Sequence, residues 1–268
     1  MYLSCLLIDT GNDPDRPRPG RLWLRNLYHV HQRLCMAFPS PERKADDVEF
    51  LRPFKADDFG NNQVHVPRGA HAGFLFRIDP QPGGQAVVLV QSAVKPDWEY
   101  AFHNAGHLLA APPEVRSFDL HFTKGQSLRF RLVANPTRRL SGHSLEADGQ
   151  PIKEDWVGKR VPVPTDQLFE WLARRVESAG FSVNKDSTTV QPGYLYFKKP
   201  RKQNDEPEDE QKDEQSRLRS VRYDGVLKVA DPARFHRTLV RGIGPGKAFG
   251  FGLLSVAPVN ASSSEGQT

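Results

Sequence analysis

GFLFRIDPQPGGQAVVLVQ (73–91) holds two apolar runs of strand length, Gly73–Ile78 and Ala86–Gln91, around the turn DPQPGG. Two prolines and two glycines packed between β-branched and aromatic runs mark an antiparallel hairpin. Upstream, RLWLRNLYHVHQRLCMAF (21–38) places Trp23, Leu27, Val30, Leu34 and Ala37 on one helical stripe, and Pro39 ends it. Before that helix, TGNDPDRPRPG (10–20) is a solvated connection and YLSCLLI (2–8) is a buried strand. Downstream, an amphipathic helix over Asp97–His107 and a strand over Val115–Phe122 complete the order β-α-β-β-α-β. That order is the ferredoxin-like, or RRM-like, pattern: an antiparallel sheet with helices on one face.

The second half repeats the order. Ser127–Ala134 reads as a strand, and Thr165–Ala179 as a helix with Leu168, Leu172 and Val176 on one face and Gly180 as its stop. Phe181–Val190 and Gly193–Phe197 read as two strands, and RSVRYDGVLKV (219–229) as a third. Asp231 caps a helix over Pro232–Val240, and FGLLSVA (251–257) is the last strand. The expected architecture is α+β, two tandem ferredoxin-like domains over 1–124 and 125–258, followed by a disordered polar tail, 259–268. The length of 268 residues suits two domains of about 100–150 residues each.

Charge is uneven. The net +5 hides an acidic tract, QNDEPEDEQKDEQS (203–216), whose seven acids and one lysine give −6 and leave +11 on the remainder. A body that basic suits a polyanion partner. Two cysteines, Cys5 and Cys35, are too few for a disulfide scaffold and read as small buried residues of a reducing compartment. The opening MYLSCLLIDT lacks the basic region of a signal peptide, and no stretch approaches the ~20 apolar residues that span a bilayer. A soluble, cytoplasmic protein without a membrane partner is expected.

Three groups of residues could carry chemistry. On the first helix, Tyr28, His31 and Cys35 border the apolar stripe, so His31 sits at a rim where a group titrating near neutrality can move a proton. An ordinary half-buried histidine of an amphipathic helix fits the same pattern. Next, GIGPGKAFGFG (242–252) brackets Lys247 with five glycines. It fails the P-loop spacing, because Arg241 stands where a glycine is required and Ala248 where Ser or Thr is. It is either a backbone nest for phosphate built around Gly244, Gly246 and Lys247, or a structural turn. Third come the basic clusters: Arg129 and Arg131 on one strand, Arg138–Arg139 after a turn, and Lys159–Arg160 in a loop. Lys198, Lys199, Arg201 and Lys202 end one strand, and Arg217, Arg219 and Arg222 begin the next. These last two groups flank the acidic tract as the arms of a hairpin, a suitable reader of an A-form RNA stem or a charged edge that deters aggregation. No metal or other cofactor is expected: His103 and His107 are four apart but lack a third ligand at recognisable spacing.

Four segments together resemble the CasE family of subtype I-E CRISPR repeat endoribonucleases: MYLSCLLI (1–8), LYHVHQRLCMAFP (27–39), LRFRLVANPTRR (128–139) and GIGPGKAFGFGLLSVAP (242–258). The resemblance implies tandem ferredoxin-like domains and metal-independent cleavage of precursor RNA at the base of the repeat hairpin. The nucleotide's own 2′-OH attacks, leaving 2′,3′-cyclic phosphate and 5′-OH ends. Tyr28 and His31 match the family's Tyr-x-x-His pair, which implies that His31 is the general acid–base and Tyr28 its orienting or phosphate-contacting partner. In some relatives a lysine follows the histidine by about one turn; Cys35 and Met36 stand there in this chain. Arg33 and Lys247 are the candidates for the missing cation. The implied partners are the repeat hairpin, the mature guide RNA and other Cascade subunits, including the backbone subunit at the guide's 3′ end. By the same resemblance the 198–222 hairpin enters the major groove of the stem, with the acidic tract at its tip. A hairpin-binding scaffold without catalysis is the other reading of these residues.

Overall fold

The computed structural model describes residues 1–13, 15, 18–39, 44, 73–142, 153–198 and 215–259. Lys199, Arg201, Lys202, most of the acidic tract and the tail beyond Val259 lie outside the described residues.

The first unit runs β1 (Tyr2–Asp9), α1 (Pro19–Arg25), α2 (Leu27–Met36), β2 (Phe74–Gln81), β3 (Gln85–Ser92), α3 (Trp98–Phe102) and β4 (Glu114–Ser117). Its strands lie in the order β2-β3-β1-β4, every neighbour antiparallel. Leu6, Ile8, Phe76, Val88 and Val90 form one side of the core, and Val30, Leu34, Trp98 and Phe102 from the helices form the other. The expected single helix over 21–38 is two helices. Asn26 breaks it, its side chain accepting from the backbone N–H of Tyr28 (3.2 Å) and His29 (3.4 Å) and so capping α2. The expected helix over 97–107 shrinks to α3 and a 3-10 turn at Gly106–Leu108, and the strand over 115–122 shrinks to β4. His103 and His107 therefore do not share a helical face.

The second unit runs β5 (Ser127–Ala134), β6 (Thr137–Arg139), β7 (Arg160–Pro162), α4 (Leu168–Ala179), β8 (Phe181–Lys198), β9 (Gln215–Val229), α5 (Pro232–Arg241) and β10 (Leu254–Pro258). The main sheet has the order β10-β5-β9-β8, which repeats the topology of the first, so the fold is a tandem ferredoxin-like α+β architecture. Its core joins Phe130, Leu132, Tyr223 and Leu227 of the sheet to Leu168, Trp171, Leu172 and Phe235 of the helices. Two expectations change here. Phe181–Lys198 is one strand rather than two, and Arg160 belongs to a small β6–β7 pair rather than to a loop. Strand β5 ends opposite Val221, so 193–198 and 215–220 run on past the sheet as a free two-stranded arm.

The units meet along β2 and β3. Gln91 Nε2 donates to the Leu239 carbonyl at 2.6 Å in a buried bond, and Arg77 Nη1 donates to Ser255 Oγ at 2.9 Å. Arg77 is itself held by the Asp79 carboxylate at 2.8 Å.

Candidate active site

Helix α2 presents Tyr28 and His31 one turn apart. Tyr28 is exposed and His31 half-buried. The imidazole packs on two aromatic rings of the edge strand β2, with centroids 5.6 Å from Phe74 and 6.3 Å from Phe76. Its Nε2 lies 3.7 Å from the Sγ of buried Cys35, one turn on. The ring is thus fixed by packing on one side and by its own helix on the other, with its Nδ1 buried and its Nε2 toward Cys35. Phe74 and Phe76 are neighbours brought by the fold, and no spacing in the sequence announces them.

The glycine-rich segment closes the seam. After α5 the chain turns through Gly242–Gly246 into a single 3-10 turn, Lys247–Phe249, which packs against α2 and β2. Gly242 and Gly250 are among its glycines required by contact. Gly242 has φ +71°, and a Cβ there would lie 2.8 Å from both the Gly252 carbonyl and a Leu75 methyl. Gly250 has φ +81°, and a Cβ there would stand 3.2 Å from the Phe76 ring that carries His31. Loop backbone donors are consumed at Ile243 and Gly252, which bond to the carbonyls of Gly252 and Val133, while those of Gly244, Gly246, Lys247 and Ala248 donate to no acceptor among the described residues. The segment is thus a tight structural turn, and N–H groups without a protein acceptor are of the kind that can take anionic oxygens.

Lys247 is exposed on this turn; partial burial first, and then the charge of Arg241, lower its pKa from the ordinary lysine value. Arg33, the other candidate cation, points away. Two positions from His31 it projects to another side of α2, where Nη1 donates to the Ala101 carbonyl and Asn104 Oδ1, both at 2.9 Å. It is a helix-packing residue, whereas Lys247 lies on the turn that packs against α2.

The remaining basic residues fall on separate faces. Arg129, Arg131 and Arg222 lie on the open face of the second sheet, away from α4 and α5. Asp224 neutralises part of that face, taking Arg131 Nε at 2.6 Å and Arg222 Nε on its other oxygen. Burial raises the Asp224 pKa, but the hydrogen bonds from Arg131 and Arg222 outweigh it and hold the carboxyl below its ordinary value. Arg129 is exposed, with Nε on the Pro258 carbonyl at 3.2 Å. Arg138, Arg139, Lys159 and Arg160 are exposed on and beside the β6–β7 pair; Lys159 lies 5.3 Å from the Trp156 ring. Arg219 sits on the helix side of the free arm, bonded to Tyr194 Oη at 2.8 Å and to Thr165 Oγ1. Lys198 ends β8 at the tip of that arm. The sequence reading missed Tyr194 and Tyr196, both exposed on the arm opposite Arg219 and Arg217, and the arginines of α4 and α5. Among the described residues no group of three His, Cys, Asp or Glu side chains could hold a metal ion, and no helix is long and apolar enough to cross a membrane.

Two ferredoxin-like units in tandem, with a glycine-rich turn of the second closing over a Tyr-x-x-His helix of the first, define the class of the protein. Within it, the chain belongs to the CRISPR associated protein family, whose model matches residues 1–258. It is 37% identical to the CRISPR-associated endoribonuclease Cse3 of Thermus thermophilus over 262 residues, spanning 96% of this chain and 100% of that one. It is 26% identical to the CRISPR system Cascade subunit CasE of Escherichia coli K12 over 260 residues, 97% of this chain and 100% of that one. Among solved structures, Cse3 bound to a 19-nt RNA matches with a TM-score of 0.65 at 31% identity, covering 96% of this chain and 100% of that one. Thermus thermophilus Cse3 bound to an RNA representing a pre-cleavage complex matches at 0.61 and 29% identity, covering 96% and 98%.

Proposed function

We propose that this chain is a metal-independent CRISPR endoribonuclease that cuts precursor RNA at the base of the repeat hairpin. The 2′-OH of the nucleotide before the cut attacks the adjacent phosphate, giving a 2′,3′-cyclic phosphate and a 5′-OH. The observation that carries this reading is His31, seated on Phe74 and Phe76 at the seam where the Lys247 turn closes on α2. The relatives named as an endoribonuclease and as a Cascade subunit support it across nearly the whole chain.

The chemistry asks little of the protein. The nucleophile is part of the substrate, so the enzyme supplies in-line placement, proton transfer and fixed donors for the charge on phosphorus. His31 takes the 2′-OH proton and gives one to the leaving 5′-oxygen. Tyr28, exposed one turn before it, orients a phosphate oxygen or the imidazole. Lys247 and the neighbouring N–H groups face the phosphorane, in the place of the lysine that Met36 or Cys35 lacks. Arg138, Arg139, Lys159 and Arg160 on β6–β7, with Arg219, Lys198 and Lys199 of the β8–β9 hairpin, hold the stem. Arg129, Arg131 and Arg222 lie on the far face and serve it only where RNA wraps around the sheet.

We take 1–124 as the domain bearing the catalytic helix and 125–258 as the RNA-holding domain. The product hairpin stays bound and the protein remains a Cascade subunit on the mature guide, beside the backbone subunit at the guide's 3′ end, in the cytoplasm. The test is incubation with a repeat hairpin in EDTA, beside the same hairpin carrying one 2′-deoxynucleotide at the cut. Cleavage of the first alone, with a cyclic-phosphate end, is expected. Tight binding without any cleavage would leave a hairpin-binding scaffold in its place.

A further inference from the structure

Arg234, Arg237 and Arg241 recur at intervals of three and four on α5, so they share one stripe, while Phe235 and Leu239 are buried in the core. All three arginines are exposed. They face a groove whose other wall is α4, with Arg175 and Ser178, and whose end is Gly242–Gly244. Among the described residues no acidic side chain lines it. Asp231, the N-cap of α5, pairs with Arg234 at 3.3 Å and acts more weakly, through its charge, on Arg237. Arg175 lies over the Trp171 ring, its Cζ 4.6 Å from the centroid, with its Nε buried and without a hydrogen-bond partner among the described residues. Burial, and then the charges of Arg160 and Arg174, lower its pKa, so this half-buried guanidinium sits in a positive field that an anion would relieve.

We propose that this α4–α5 groove is a second phosphate-binding site, taking the sugar–phosphate backbone of a single-stranded RNA segment that continues from the hairpin foot. The inference rests on the endonuclease reading above and extends it. Continuity gives the direction. Arg241, at the end of the stripe, acts electrostatically on Lys247, and the Lys247 turn packs on the helix that bears His31. The stripe thus leads from the groove through the Gly242–Gly246 turn to Lys247, on the 3-10 turn that packs against α2. Among the described residues no aromatic ring lines the groove, so it reads phosphates rather than bases.

The experiment measures binding of three uncleavable RNAs, each with a 2′-deoxy at the cut: the bare hairpin, and the hairpin with a ten-nucleotide extension on its 5′ or on its 3′ side. Wild type should bind one extended RNA more tightly than the bare hairpin, with a steeper dependence on salt. Each phosphate contact on a single strand adds about 0.7 to the slope of log K against log salt. Arg234→Ala/Arg237→Ala should lose the extension gain and about 1.4 of that slope, while the bare hairpin is bound and cut as by wild type. Arg237→Glu, checked by thermal melting, should make the extension unfavourable. A wild type that binds and cuts the bare hairpin but gains nothing from either extension overturns the groove and leaves the function standing. The same result would follow if the groove took an acidic protein segment instead. Failure to bind any hairpin would overturn both.

Discussion

Gly250→Ala tests how closely the glycine-rich turn is coupled to the histidine. Gly250 holds φ +81°, in the left-handed region where a side chain costs about 1–2 kcal/mol. Its new Cβ would also stand 3.2 Å from Phe76 Cε2, tight enough that the ring must give by a few tenths of an ångström. Phe76 stacks on His31 with centroids 6.3 Å apart, so the displacement is passed to the imidazole. Gly83, in the β2–β3 turn, separates the two effects: it holds φ +78°, yet a Cβ there meets nothing within 4 Å. Gly83→Ala should therefore lose about 1–2 kcal/mol of stability from backbone strain alone and cut RNA at the wild-type rate. Gly250→Ala should lose at least as much and also slow single-turnover cleavage by about 5–30-fold, the factor equivalent to a further 1–2 kcal/mol. Urea unfolding and single-turnover cleavage at saturating protein read the two quantities separately. Equal cleavage rates in the two variants would refute the coupling of turn, ring and histidine.

The buried bond between the units gives a second prediction. Gln91→Met keeps the volume but strands the Leu239 carbonyl, so stability should fall by about 1–3 kcal/mol in urea unfolding; an unchanged midpoint would mean that the carbonyl finds another donor. Asp224 gives a third, through pH. Its folded-state pKa is depressed, so its contribution is present above the unfolded value near ~3.9 and is lost as pH falls through the folded value. Asp224→Asn should be less stable than wild type at pH 7, by at most about 1 kcal/mol for so exposed a pair, and the difference should close in acid. A gap that stays constant down to pH 3 contradicts this.

The sheet topology was legible because each strand carries its own period and each helix its own stripe. What escaped lay where a local signal had two meanings. The stripe over 21–38 continues through Asn26, since one capping residue does not shift Leu27, Val30 and Leu34 off the face begun by Trp23. Pro192–Gly193 looks like a break in β8, yet β8 is an edge strand, where a proline's missing N–H need face no partner. The strands β6 and β7 are three residues each and set among prolines, too short for any period to register. At the candidate site, Tyr28 and His31 stand out by spacing and Lys247 by its glycines, but only the fold packs the Lys247 turn against α2. Arg33 could have been set aside earlier, because two residues on a helix turn it some 200° from His31. The arginines of α5 were present as a stripe, but a charged helical stripe reads as a solvated face until a second helix supplies the opposite wall.

The central claim is that His31 moves the proton. Single-turnover cleavage of the repeat hairpin by His31→Ala, with hairpin affinity measured in parallel and imidazole then added to the buffer, tests it most directly. Affinity should stay near wild type, the rate should fall by about 10²–10⁴-fold, and imidazole should restore part of it. Cleavage by His31→Ala at the wild-type rate would contradict the account.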